Sequence, residues 1–186
     1  MKRILLKLSG EALAGDKHHG FDEPTVTVVA KQVKQLVDAG VQVGIVIGGG
    51  NFWRGRTSET IDRTKADQIG MLATVMNCIY VSEIFRSVGM MTSVLTPFEC
   101  GSITKLYSKD RANKYDSDPK VNPSAKKYDQ VSIQEVIDKK LAVVDLTASV
   151  MCMENHIPMY VFGLGETNSI VNAVNGQFNG TVVTVD

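Results

Sequence analysis

Apolar residues recur along this chain in two alternating rhythms, one of strands and one of helices. The stretch RILLKLSG, residues 3–10, is short and nearly continuously apolar, which predicts a buried strand that turns at Ser9 and Gly10. In FDEPTVTVVAKQVKQLVDAG, residues 21–40, Val26, Val29, Val33, Leu36 and Val37 share one helical face, with Asp22 as cap, Pro24 in the first turn and Gly40 as the stop. VQVGIVI, residues 41–47, predicts a second strand, so strand, helix and strand follow in the order of a right-handed parallel crossover. Residues 66–88 read as a helix and residues 91–95 as a third short strand. Residues 101–130 are polar and interrupted by Pro119 and Pro123, which predicts surface loop. Beyond it, Ser132 and Glu135 have capping-box spacing, a helix starts near Asp145, PMYVF is a strand, a short helix follows Asn168, and GTVVTVD is the last strand. No internal repeat is present. The alternation predicts an α/β protein, a three-layer α/β/α sandwich with a mostly parallel sheet, in a single domain over residues 1–186.

Within that frame, IVIGGGNFWRGR, residues 45–56, places three glycines at the C-terminal end of a parallel strand, where open α/β sheets bind ligands. Such a bare main chain suits either a phosphate that approaches backbone N–H groups or a tight turn that needs positive φ. Arg54 and Arg56 are placed to add charge-assisted hydrogen bonds to phosphate oxygens. The first strand end contributes Lys7 in KLSGEAL, so a lysine and a glycine nest converge from successive strands. Neither GxxxxGK[ST] nor a GxGxxG after the first strand occurs, which excludes a P-loop and a dinucleotide fingerprint.

Composition narrows the partners. Twenty basic and twenty acidic residues cancel, which removes the electrostatic case for a general nucleic-acid or membrane-surface binder. Cys78, Cys100 and Cys152 are scattered and are read as reduced core thiols, without zinc or CxxC spacing. The N-terminal apolar run is broken by Lys7 and does not read as a signal peptide, and no stretch reads as long and apolar enough to span a bilayer. Met71, Met76, Met90, Met151 and Met153 are expected in the core, and His18 and His19 in a solvated loop. FGLGETNS, residues 162–169, is read as a strand-to-helix turn capped by Asn168 or Ser169.

KLSGEAL, GGGNFWRGR, RTKADQIGMLATVMN, DSDPKVNPSAKKYD and VVDLTAS, in this order, resemble the prokaryotic uridylate kinases of the amino acid kinase superfamily. The resemblance implies the amino acid kinase fold and transfer of the ATP γ-phosphoryl group to UMP, giving ADP and UDP in pyrimidine nucleotide biosynthesis, with Mg2+ accompanying ATP. It places Lys7, Ser9, Gly10, Gly50 and Arg54 along the ATP phosphates, with Tyr115 and Asp118 near the ATP nucleoside. Gly49 and Asp67 would bind UMP, and Asp145 would orient polar groups at the transfer site; Lys7, Arg54 and Asp145 are the implied catalytic residues. No resident metal site is implied. The resemblance further implies a cytoplasmic homohexamer under allosteric control by a regulatory nucleotide such as GTP or UTP.

One segment of the family pattern is missing. Between YSKDRANK and DSDP the uridylate kinases carry a further strand, a threonine-bearing loop and a helix, and here the flanks join near residues 114–116. The alternative function is therefore a non-catalytic nucleotide-binding or assembly module. Alanine at Gly49 is expected to spare stability and weaken UMP binding, and the apolar surface of Met71, Val75, Cys78, Ile79, Val81 and Ile84 is expected to meet another subunit.

Overall fold

The computed structural model describes residues 3–53, 60–106, 128–139 and 146–185. By its contacts the chain divides into two compact units, Met1–Asn113 and Lys114–Asp186, with the boundary beside the interruption expected near 114–116.

The first unit opens with strand β1 (Arg3–Leu8), helix α1 (Gly10–Ala14), a 3-10 turn (Gly15–Lys17), helix α2 (Glu23–Asp38) and strand β2 (Gln42–Ile47). β1 and β2 pair in parallel, with Lys7 opposite Val46 and Leu8 opposite Ile47. The expected caps of α2 hold: Asp22 Oδ2 accepts from Thr25 N at 3.1 Å, and Gly40 leaves the helix at φ +81°. Hydrogen bonds from Thr25 hold the Asp22 carboxyl below the usual carboxylate range. Val26, Val29, Val33 and Leu36 are buried as the periodicity requires, each worth about 1.5–3 kcal/mol of transfer free energy. Val37 is instead exposed, at the edge of that stripe.

Helix α3 (Arg63–Ser87) begins a turn earlier than its apolar pattern, because Asp62 accepts from Thr64 N and Lys65 N. By length and composition α3 is apolar enough to cross a membrane, a stretch that the hydropathy reading had not singled out. It packs on α2 and β2, and Ala66, Ala73, Val75, Asn77, Val81, Ser82 and Phe85 are its buried residues. The third strand is shorter than expected: β3 is Leu95–Thr96, paired in parallel with β4 (Lys105–Leu106), and Met91 is wholly exposed. β4 is a strand inside the stretch read as loop.

The second unit contains β5 (Gln130–Ser132), α4 (Ile133–Asp138), α5 (Leu146–Glu154), β6 (Met159–Phe162), α6 (Ser169–Val174) and β7 (Gly180–Thr184). β7 is central, parallel to β5 and antiparallel to β6. Ser132 caps α4 through Glu135 N, as its spacing predicts. Asn168 stands at the start of α6 in the left-handed conformation, and its side chain makes no capping bond. Val131, Ile133, Val136, Ala148, Cys152 and Val183 form the core of this unit. The α/β class and the predominance of parallel pairing follow the alternation of the sequence; among the described residues the strands form three sheets. Met90 is buried and Met153 packs on the second core, whereas Met71, Met76 and Met151 lie at the surface, a correction to their reading as core. Cys152 is buried, Cys78 and Cys100 are half-buried, and none of the three is in a disulfide.

Candidate active site

Because β1 and β2 run in parallel and in register, the chain leaves both at the same end. From β1 it turns through Ser9, whose Oγ accepts from Ala12 N at 3.1 Å, into α1. From β2 it enters Gly48, whose N–H donates to Leu8 O at 3.0 Å and closes the last rung of the ladder. The two turns then touch. A Cβ on Gly10 would stand 2.5 Å from Asn51 Oδ1, 2.7 Å from Gly50 N and 2.8 Å from Gly48 O. Gly10 is bare because another backbone occupies the space its side chain would need.

The three loop glycines have different reasons to lack a side chain. A Cβ on Gly49 would meet Gly70 O at 2.8 Å, Thr74 Oγ1 at 3.0 Å and Ala73 Cβ at 3.1 Å, so α3 itself demands a glycine there. This corrects the expectation that alanine at Gly49 would spare stability. Gly48 would meet only Gly10 N at 3.6 Å, and Gly50 only Glu11 Oε1 at 3.6 Å and Glu11 Cγ at 3.8 Å, ordinary contacts. None of the three has a positive φ, so the turn geometry does not require them either.

Two buried amides fasten this loop. Asn77 Nδ2 donates to Gly48 O and to Asn51 Oδ1, each at 2.6 Å, while Asn51 Nδ2 donates to Asn77 Oδ1 at 3.1 Å and to Gly20 O at 2.7 Å. Gly20 N completes the link by donating to Asn51 O at 3.1 Å. Gly49 O accepts from Phe52 N at 3.1 Å and Trp53 N at 3.2 Å. In a trans peptide the N–H points away from the carbonyl, and this chain has no cis bond among its described residues. With the carbonyls of Gly48 and Gly49 engaged, the N–H groups of Gly49 and Gly50 are turned the other way. Neither of these, nor the Asn51 N–H, has a hydrogen-bond partner among the described residues. Successive unpaired donors in a turn are an anion cradle.

An aromatic cluster braces the outer side of the loop. Phe21 stacks on Tyr80 with ring centroids 3.8 Å apart and meets Phe52 edge-on at 5.1 Å; His19 meets Phe52 edge-on at 5.4 Å, while His18 and His19 are both exposed, as expected of a solvated loop. Desolvation in this cluster, with Glu23 and Asp22 adding to it, pushes the Tyr80 hydroxyl pKa up.

Of the residues assigned by resemblance, Ser9, Gly10, Gly49 and Gly50 are brought together here. Lys7 is half-buried in β1, on the face opposite Leu6 and Leu8. Asp67 lies in the second turn of α3, exposed and ion-paired with Arg63 Nε at 3.0 Å, on the helix face that carries Gly70 and Thr74. It is therefore not a helix-start charge; Asp62 fills that role. Arg54, Tyr115, Asp118 and Asp145 lie outside the described residues. The residues that sequence reasoning missed are Asn51 and Asn77, and for Asn77 the available signal was an amide on the apolar-and-small face of α3.

This arrangement of strand-end loops has known counterparts. The amino acid kinase family matches residues 2–114. The uridylate kinase of Pediococcus pentosaceus is 36% identical over 231 residues, covering 98% of this chain and 96% of that protein. That of Limosilactobacillus reuteri is 36% identical over 234 residues, covering 100% and 98%. The crystal structure of UMP kinase from Bacillus anthracis shares 27% identity and superposes with a TM-score of 0.83 over 100% of this chain and 96% of that one. UMP kinase from Ureaplasma parvum shares 26% identity with a TM-score of 0.82, over 98% of each chain. The chain belongs to the amino acid kinase family. Its relatives within that family are uridylate kinases, and the first alignment, 231 positions against a chain of 186, leaves at least 45 of that relative's positions without a counterpart here.

Proposed function

We propose that this protein is a nucleoside monophosphate kinase that transfers the γ-phosphoryl group of ATP to UMP, releasing ADP and UDP. The observation that carries this reading is the 36% identity to uridylate kinases, which extends over both units of the chain. Phosphoryl transfer asks chiefly for in-line positioning and neutralisation of charge, so backbone donors, a lysine and an arginine suffice without a covalent nucleophile. The cradle of Gly49, Gly50 and Asn51 supplies the donors. Lys7, Ser9, Gly10, Gly50 and Arg54 are assigned to the ATP phosphates, Gly49 and Asp67 to UMP, Tyr115 and Asp118 to the ATP nucleoside, and Asp145 to orienting the polar groups. Mg2+ enters with ATP as part of the substrate. The non-catalytic module is the weaker reading, because the motifs on both sides of the missing segment remain those of the catalytic relatives.

The test is direct. Protein of verified mass 20.3 kDa, given MgATP and UMP, is expected to form UDP and ADP in equal amounts. Absence of UDP from folded protein of that mass overturns the kinase reading in favour of the module.

We also read the protein as a cytoplasmic homo-oligomer, a hexamer by resemblance, responsive to GTP or UTP. On α3, Ile69, Leu72, Met76 and Ile79 are 37–56% exposed at the 3,4,3 spacing of a helix seam. Val75 and Val81, first counted toward this surface, are buried in their own unit. Sedimentation at micromolar concentration is expected to show an oligomer that Leu72→Asp dissociates. A wild-type monomer at that concentration contradicts the assignment.

A further inference from the structure

Asn51 and Asn77 are 1% and 0% exposed, and two amides this deep in an apolar unit are costly unless their donors and acceptors are met. Here both N–H groups of each amide are used, and the bonds run to each other, to Gly48 O and to Gly20 O. The Gly48–Gly49 peptide has a glycine on either side, so its own φ and ψ restrain its orientation less than in any other dipeptide. Its orientation must come from outside the loop. Among the described residues, it is Asn77 that donates to the Gly48 carbonyl. Without that donor, a part-buried carbonyl would lose its partner, and rotation of the peptide to find another would swing the Gly49 N–H out of the cradle.

We propose that Asn77, locked by Asn51, is a positioning residue for phosphoryl transfer: it sets the Gly48–Gly49 peptide so that the Gly49 N–H faces the phosphate. The inference rests on reading the glycine loop as a phosphate cradle. Asn77 touches no reacting atom, and its effect is carried through one peptide plane.

The experiment compares Asn77→Ala with Val33→Ala, a substitution in the buried face of α2 that removes packing without touching the loop. Melting temperature, kcat, KM for UMP and calorimetric binding of a non-hydrolysable ATP analogue are measured well below both transitions. Asn77→Ala is expected to lose about 30-fold or more in kcat, as small displacements of catalytic groups do, and to raise KM for UMP about threefold or more, because the misaimed N–H is the Gly49 donor assigned to UMP. Val33→Ala is expected to keep kcat within about twofold even where it melts as low. Equal kcat in Asn77→Ala and Val33→Ala overturns the inference. Should Asn77→Ala fail to fold, Asn51→Ala, which leaves the bond to Gly48 O in place but unbraced, is expected to lose about three- to tenfold in kcat, and an unchanged kcat there overturns the inference equally. Failure of the wild-type chain to bind the ATP analogue overturns the phosphate reading itself, whereas normal binding with unchanged kcat in the variants overturns the positioning role alone.

Discussion

Alanine at Gly10 is expected to collapse the contact between the two strand-end turns, whereas alanine at Gly50 is expected to leave the fold intact and weaken ATP binding. The new methyl at Gly10 meets Gly50 N, Gly48 O and the Asn51 amide at 2.5–2.8 Å, and two of these three are main chain that cannot rotate away. Overpacking against backbone costs about 3 kcal/mol at the upper end of the usual range, or roughly 6–12 °C in melting temperature for a chain of this size. Gly49→Ala is expected to behave similarly, since its methyl meets Gly70 O at 2.8 Å and Ala73 Cβ at 3.1 Å. At Gly50 the methyl meets only Glu11 at 3.6 Å or beyond and the φ is not positive, so stability changes by less than about 1 kcal/mol, in either direction. If phosphate lies against that backbone, the same methyl displaces it, and affinity for ATP falls at least about tenfold. Melting curves without ligand and titration with an ATP analogue separate the three. Normal ATP affinity in a stable Gly50→Ala protein would remove the phosphate from this loop.

Gly10 stands alone in KLSGEAL and Gly49 and Gly50 in a glycine run, but nothing local says what each glycine is for. What set them apart was which neighbour each meets: α1 and the loop meet at Gly10, α3 at Gly49, and only Glu11 stands near Gly50. Local features were legible for local reasons. Asp22 and Ser132 cap helices through N–H groups three residues away, so their spacing alone identified them. The parallel pairing of β1 with β2 followed from the strand, helix, strand order. By contrast, Asn51 and Asn77 are 26 positions apart, and neither has a local pattern that names its partner. Asp62 was missed because the first turn of α3, Arg63–Thr64–Lys65, is polar and gives no apolar period to start from. Met71 and Met76 were placed in the core because composition cannot tell a buried apolar face from an exposed one.

The other large effect is expected at Arg54, which follows Trp53, the residue whose N–H holds Gly49 O and ends the turn. The resemblance to the uridylate kinases assigns Arg54 to the ATP phosphates, where negative charge is redistributed as the γ-phosphoryl group departs. Arg54→Ala is expected to lower kcat by about a hundredfold or more, the usual cost of one charge-stabilising donor, with little change in melting temperature. Arg54→Lys keeps the charge but loses the planar fork that engages two phosphate oxygens at once, so it should recover part of the turnover and remain well below wild type. Because guanidinium stays protonated across the working range, the deficit of Arg54→Ala should be the same at every pH tested. Turnover at the wild-type level in Arg54→Ala would remove Arg54 from the catalytic set, and a deficit that vanishes on raising the UMP concentration would reassign it to binding of the acceptor.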